Sequence, residues 1–171
     1  MALDPEEAHH AARVVRAQQG DAVVLFDGQG RLIHGAVESI SKRDVIIRVN
    51  AEEVVRRSAR RFTLVQAWLH RDKAIEQLVR QGTALGITAI RFYRADRSDK
   101  RPKDNPKWDR LAIEACKQCG RPWLPEFTTH DSLADALDSP TGSIIAATDS
   151  DDAVAVGQLQ LDGGQATLVV G

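Results

Sequence analysis

Phe62-Thr-Leu-Val-Gln-Ala-Trp-Leu69, followed by the periodic segment from Asp72 to Gly86 and then by Thr88-Ala-Ile-Arg-Phe-Tyr93, decides the fold. The outer pieces are apolar runs of strand length. The middle piece places Ile75, Leu78, Val79, Gly82 and Leu85 on one face of a helix capped by Asp72 and ended by Gly86. Strand, helix and strand in that order make a parallel crossover unit, and the unit recurs downstream. Asn105-Pro106 opens a second helix with Trp108, Leu111, Ala112 and Ala115 facing inward and Gly120 as its stop. Leu124–Phe127 follows as a short strand, Ser132 caps Leu133–Leu137, and Ser143–Thr148 and Ala166–Val170 are buried-strand runs. Residues 62–171 are thus predicted to be an α/β domain, a largely parallel sheet flanked by helices. Ligand sites in such a sheet lie beyond the carboxyl ends of its strands.

Upstream the pattern is different. Asp4-Pro5-Glu6-Glu7 has the acidic cap, proline and first-turn carboxylates of a helix start, with Gly20 as its stop. Ala22–Phe26, the glycine-rich turn Asp27–Gly30 and Arg31–Ile40 read as a hairpin. Val45–Asn50 adds a strand after the turn Ser41–Asp44. Strands without intervening helices predict a small antiparallel barrel or sandwich over residues 1–58, with Glu52–Arg61 as the linker.

The composition, 43% hydrophobic and 27% charged, is that of a soluble globular protein. No run approaches the ~20 apolar residues of a membrane span, and Met1–Glu7 lacks the basic and apolar regions of a signal peptide, so a cytoplasmic location is expected. The net charge of −1 conceals an asymmetry: residues 1–121 hold all 23 Lys and Arg against 16 of the 24 acids, a formal +7, and Pro122–Gly171 is a formal −8. A basic half suits a polyanionic partner; the alternative is a solvated surface.

Both cysteines lie in Glu114-Ala-Cys-Lys-Gln-Cys-Gly-Arg121. One Cys116-x-x-Cys119 supplies two of the about four ligands of a zinc site, no second pair exists and the five histidines are scattered, so thiol packing is expected and no metal. Walker, dinucleotide-fingerprint, nucleophile-elbow and H-E-x-x-H patterns are absent. Arg94–Lys107 carries six bases and three acids after a strand end, which suits phosphate contact; a solvated loop is the other reading. His10, Arg13 and Arg16 recur every three residues and form a candidate basic stripe along the first helix.

Taken together, His10-Ala-Ala-Arg-Val-Val-Arg16, Gly20-Asp21, Leu25-Phe-Asp-Gly-Gln-Gly30, Leu85-Gly-Ile87, Arg97-Ser98 and Glu114–Arg121 followed by Pro125 resemble the RsmE-type family of the SPOUT superfamily. These are bacterial methyltransferases that modify N(3) of a uridine in 16S ribosomal RNA. The resemblance implies an N-terminal PUA-like RNA-binding β-barrel, a SPOUT-type α/β domain, S-adenosylmethionine as methyl donor, 16S ribosomal RNA or the small ribosomal subunit as partner, and a homodimer. It implies Gln118 and Arg121 as catalytic residues, where an amide can bond a base edge and a guanidinium can stabilise charge. Arg97 and Ser98 join them, and His10, Arg13, Arg16 and Lys107 complete the RNA-binding set. Thr148 and Gly171 are the cofactor candidates.

The chain departs from the family at Gln81-Gly82-Thr83-Ala84-Leu85-Gly86, where the family has K-A-T-E-L-G. It also reads Thr167-Leu-Val-Val-Gly171 where the family continues into G-P-E-G-G and the knot. A chain truncated before the knot, with most of the cofactor pocket absent, is the resulting expectation. A noncatalytic RNA-binding fragment or degenerate relative lacking the cofactor site is the second reading.

Overall fold

Alternation along β4 (Arg61–Ala67) sends Leu64 to one side of a sheet and Val65 and Ala67 to the other, and this two-sided burial organises the larger part of the molecule. The computed structural model describes residues 1–41, 44–98, 100–138, 142–148 and 150–171. Lys42 and Arg43 of the turn expected at Ser41–Asp44, and Asp99 of the basic loop, lie outside them. The chain divides into two units, Met1–Arg57 and Ser58–Gly171.

The first unit opens with α1 (Pro5–His9), capped by Asp4, whose carboxylate accepts from the Glu6 and Glu7 amides. The helix does not continue to Gly20 as expected. His10–Val15 is π-helical, and Arg16 ends it at φ 56°, a left-handed conformation for a residue with a Cβ. The three-residue spacing of His10, Arg13 and Arg16 therefore does not trace an α-helical stripe, although all three side chains are exposed.

Strands β1 (Ala22–Phe26), β2 (Arg31–Ile40) and β3 (Val45–Val54) form an antiparallel sheet in that order. Met1–Leu3 runs along the outer edge of β3: Ala2 bridges to Ile46, and the Leu3 amide donates to the Val45 carbonyl at 3.0 Å. Ala8, Val37, Val45 and Ile47 form the core. Residues 52–54, expected to be linker, belong to β3; Arg31 holds Glu52 across the strands at 2.6 Å.

In the second unit β4, β5 (Ala89–Tyr93), β6 (Glu126–His130), β7 (Ser143–Ala146) and β8 (Gln165–Val170) form an all-parallel sheet in the order β6-β5-β4-β8-β7. Between the strands run α2 (Asp72–Leu85), α3 (Lys107–Cys119) and the single turn α4 (Leu133–Ala136). Helices α2 and α3 bury Ile75, Val79, Trp108, Leu111 and Ala112 against Leu64, Ile90 and Phe92. On the opposite face Ala136 of α4 packs on Val65, Ala67 and Tyr93.

Several boundaries move relative to the sequence expectation. Asp72 lies inside α2, with Arg71 at the cap position. Leu85 is 79% exposed, because at 3.6 residues per turn it is position 86 that comes round to the buried face. β4 stops at Ala67. β6 begins at Glu126, after Pro125, which has no amide to donate to a ladder. Among the described residues no helix is long and apolar enough to cross a membrane.

Candidate active site

The first crossovers of the second unit step outward from β4 to β5 and β6, and the later strands fall on the other side, with β8 beside β4. The strand order thus reverses between β4 and β8, and in open parallel sheets the crevice beyond the carboxyl ends at such a reversal is where ligands bind.

Register defines what lines that crevice. Ala67 pairs with Tyr93 and Tyr93 with His130, so the ends of β4, β5 and β6 are level. Gln66 pairs with Val170 and Ala146 with Val169, so extending the ladders puts Gly171 beside Ala67 and Thr148 beside Gly171. Thr148 is exposed, and its hydroxyl accepts from the Ser150 amide at 3.2 Å. A Cβ on Gly171 would stand 2.7 Å from the Tyr93 hydroxyl, so a side chain there would have to displace that hydroxyl. Burial, with Asp96 nearby, raises the Tyr93 phenol above its ordinary pKa.

The loop leaving β5 is folded on itself. Ser98 is buried; its amide donates to the Ala95 carbonyl at 2.9 Å and its hydroxyl to the Lys100 carbonyl at 2.9 Å. Arg94, half-buried, donates through Nε to the Ser98 carbonyl at 3.2 Å. That arrangement leaves Arg97 exposed at the turn. Farther along, Thr129 donates to Asp104 at 2.9 Å, and Arg101 lies 3.6 Å from Asp131. Both tie the loop to the end of β6.

Lys107 opens α3 at this same edge, but its ammonium is held by Glu76 at 2.5 Å. Arg80 pairs with Glu114 at 2.7 Å, and Arg121 Nε donates to the Ala84 carbonyl at 3.2 Å. These three links step along two helices that run side by side in the same direction. Gln118 and Arg121 are exposed at the far end, by the amino edge of the sheet, one length of α3 away. Thirteen helical residues span about 20 Å. The structure does not bring Gln118 and Arg121 together with Arg97, Ser98, Thr148 and Gly171, which all sit at the carboxyl edge.

The cysteines are free and serve the end of α3. Cys116 is buried, its thiol directed to the Trp123 carbonyl at 3.7 Å, and burial, with Cys119 adding and Arg121 opposing, pushes its pKa up to about 11. Among the described residues no three His, Cys, Asp or Glu side chains gather as a metal site.

Residues 56–171 match the family model of the RNA methyltransferase domain, and residues 3–50 match the RNA methyltransferase PUA domain. The chain belongs to the RNA methyltransferase family. The three-stranded unit is accordingly the PUA-like part of this family member and the five-stranded parallel unit its SPOUT-like α/β part. Ribosomal RNA small subunit methyltransferase E of Synechocystis sp. is 29% identical over 136 residues, covering 72% of this chain and 41% of that protein. Its namesake in Bacillus subtilis is 27% identical over 138 residues, covering 77% and 54%. The chain therefore spans about half the length of those relatives. A solved structure of the Neisseria gonorrhoeae protein of the same name, bound to S-adenosyl methionine, superposes with a TM-score of 0.85 at 23% identity, over 100% of this chain and 73% of that one.

Tyr93 was not singled out as a site residue from sequence, and Arg94 only as the first base of the Arg94–Lys107 loop. The signal that could have found them is positional: they end β5 and leave it at the carboxyl edge, where the strand-helix alternation already predicts ligand binding.

Proposed function

We propose that this chain is part of a ribosomal RNA methyltransferase that transfers a methyl group from S-adenosylmethionine to N(3) of a uridine in 16S ribosomal RNA. The observation that carries the reading is the crevice between β4 and β8, with a glycine at the mouth where a Cβ would meet Tyr93, and a turn displaying Arg97 beside β5. The names of the two relatives and the ligand of the Neisseria protein support it. Homodimeric assembly and a cytoplasmic location belong to the same reading.

When bound, S-adenosylmethionine supplies a methyl group on a positively charged sulfur. The chain's own residues supply alignment, the main requirement of a displacement in which the N(3)–CH3 bond would form as the S–CH3 bond breaks, the donor leaving as its neutral thioether and the N(3) proton passing to water. Gly171 and Thr148, at the ends of β8 and β7, line the crevice in which the donor would sit. Arg97 grips a phosphate of the RNA, and the buried Ser98 turn, braced by Arg94, fixes where that guanidinium stands. His10, Arg13 and Arg16 add phosphate contacts from the PUA-like unit. Arg121 acts from the far end of α3 by holding it to α2, with Gln118 exposed beside it, and neither touches the reacting atoms.

The test is transfer of radiolabelled methyl from S-adenosylmethionine to isolated small subunits and to free 16S RNA, with the modified base located by its block to reverse transcription. Label in one uridine at N(3) is expected. Label on a different atom would overturn the base assignment, and no label together with no heat on titrating the donor would overturn the enzyme reading in favour of a noncatalytic RNA-binding chain.

A further inference from the structure

Tyr93 is held in an unusual way. Its ring packs with Val65, Ala67 and Ala136 on the α4 face of the sheet, and the residue is 5% exposed. Yet its hydroxyl has no hydrogen-bond partner among the described residues. The ring is buried while the hydroxyl itself is not sealed off as a buried, unsatisfied atom, so it is open to an acceptor arriving in the crevice.

Geometry says where the acceptor would be. Tyr93 belongs to β5 and Gly171 follows β8, with β4 between them, so the two strands are about 10 Å apart at normal sheet spacing. The β4 residue level with Tyr93 is Ala67, whose small side chain shares the cluster with the ring. The phenol reaches far enough to stand 2.7 Å from a Cβ position on Gly171. It therefore lies at the strand-order reversal, against the one backbone position there that carries no side chain. Burial, and after it the nearby Asp96, raise the phenol's pKa, so the hydroxyl is a proton donor.

We infer that Tyr93 is a contact residue of the donor crevice, its hydroxyl donating a hydrogen bond to an oxygen or nitrogen acceptor of the nucleoside-type methyl donor seated on the Gly171 backbone. The inference rests on the reading of the crevice as the S-adenosylmethionine site. It makes Gly171 and Tyr93 a matched pair: the glycine is required because the hydroxyl occupies the space its Cβ would need.

The experiment is calorimetric titration of S-adenosylmethionine into the protein and into Tyr93→Phe, Gly171→Ala and the double variant, with thermal unfolding of each. Loss of one hydrogen bond predicts about five-fold weaker binding in Tyr93→Phe at an unchanged Tm. Gly171→Ala should bind more weakly still, and the double variant should recover to about the Tyr93→Phe level, because removing the hydroxyl frees the space for the methyl. Equal affinity of Tyr93→Phe and the parent would overturn the inference and leave the proposed function standing. So would weakened binding that merely tracks a lowered Tm. An absence of binding by the parent would instead overturn the reading of the crevice, and this inference with it.

Discussion

Arg121 lies across Gly86: a Cβ on that glycine would stand 2.5 Å from each Nη of the guanidinium and 2.6 Å from its Cζ, while Nε donates to the Ala84 carbonyl. The glycine is at φ 89° and ends α2, so one backbone position has two reasons to lack a side chain. Because Arg121 follows Gly120, the cap of α3, this contact joins the ends of two neighbouring helices. A guanidinium at a helix carboxyl terminus is also favourably placed against the helix dipole.

Gly86→Ala is accordingly expected to lower stability by about 1–2 kcal/mol from the left-handed backbone, plus a further amount from displacing the guanidinium. Arg121→Ala should lose under about 1 kcal/mol, since its hydrogen bond is exposed. The double variant should be less destabilised than the sum, because Arg121→Ala removes the steric part of the glycine effect. Denaturant unfolding of the three variants measures this; strict additivity would mean that the two residues do not meet.

Arg91 does comparable work on the other face of the sheet. Its Nη1 donates to the Ala136 carbonyl at 2.9 Å and the Asp138 carbonyl at 3.3 Å, closing the end of α4, a helix of four residues that cannot persist without tertiary support. Arg91→Ala should therefore release α4 locally. Hydrogen exchange at the Ala136 and Leu137 amides should rise at least ten-fold, while amides of β5 and α3 keep their protection. Unchanged exchange at Ala136 would show that apolar packing suffices.

What was legible in the sequence follows the range of the forces involved. Trp108, Leu111, Ala112 and Ala115 all face the core as their spacing predicts, since helical period and burial are local properties of α3. The end of β3 was illegible because Ala51–Val54 is exposed and charged, and what holds it is cross-strand: Arg31 on Glu52 and His34 on Glu53. The π-helical His10–Val15 has no composition that distinguishes it from an α-helical turn. In the site, the motif Gln118-x-x-Arg121 and the pair Arg97-Ser98 are close in sequence. Which edge of the sheet each reaches depends on the direction of α3, and a motif read as a string does not contain it.

The two cysteines should differ sharply in reactivity. Cys119 is exposed, whereas Cys116 is buried with its thiol pKa pushed up to about 11. At pH 8, iodoacetamide should label one thiol per native chain, at Cys119, and two after denaturation. The same shift has a stability consequence. The folded thiol keeps its proton to about 11 while an ordinary one releases it near 9.0, so this contribution is intact below pH 9 and is lost as pH rises from 9 to 11. Cys116→Ala should decline less steeply through that window than the parent, compared by urea unfolding at pH 8 and pH 10.5; parallel declines would mean that the thiol is not protected.

Arg97 and Lys107 were grouped as RNA-binding residues, and the structure gives them different prospects. Arg97 is exposed on a turn whose serine is buried, and among the described residues no carboxylate pairs with it. Lys107 is already engaged by Glu76 at 2.5 Å, so a phosphate would have to displace a carboxylate that bridges α2 and α3. In the double-logarithmic dependence of RNA affinity on salt, each phosphate contact contributes a slope of about 0.7–0.9. Arg97→Ala should reduce the slope by close to that amount with little change in Tm. Lys107→Ala should leave the slope nearly as it was and weaken the helix pair slightly, by the ~1 kcal/mol or less that a part-exposed ion pair is worth. Filter binding of a 16S RNA fragment between 50 and 300 mM KCl, about the range over which such slopes are resolved, decides it. A larger slope change for Lys107→Ala than for Arg97→Ala would mean that RNA takes Lys107 from Glu76, and that the loop approaches the nucleic acid from the α3 side.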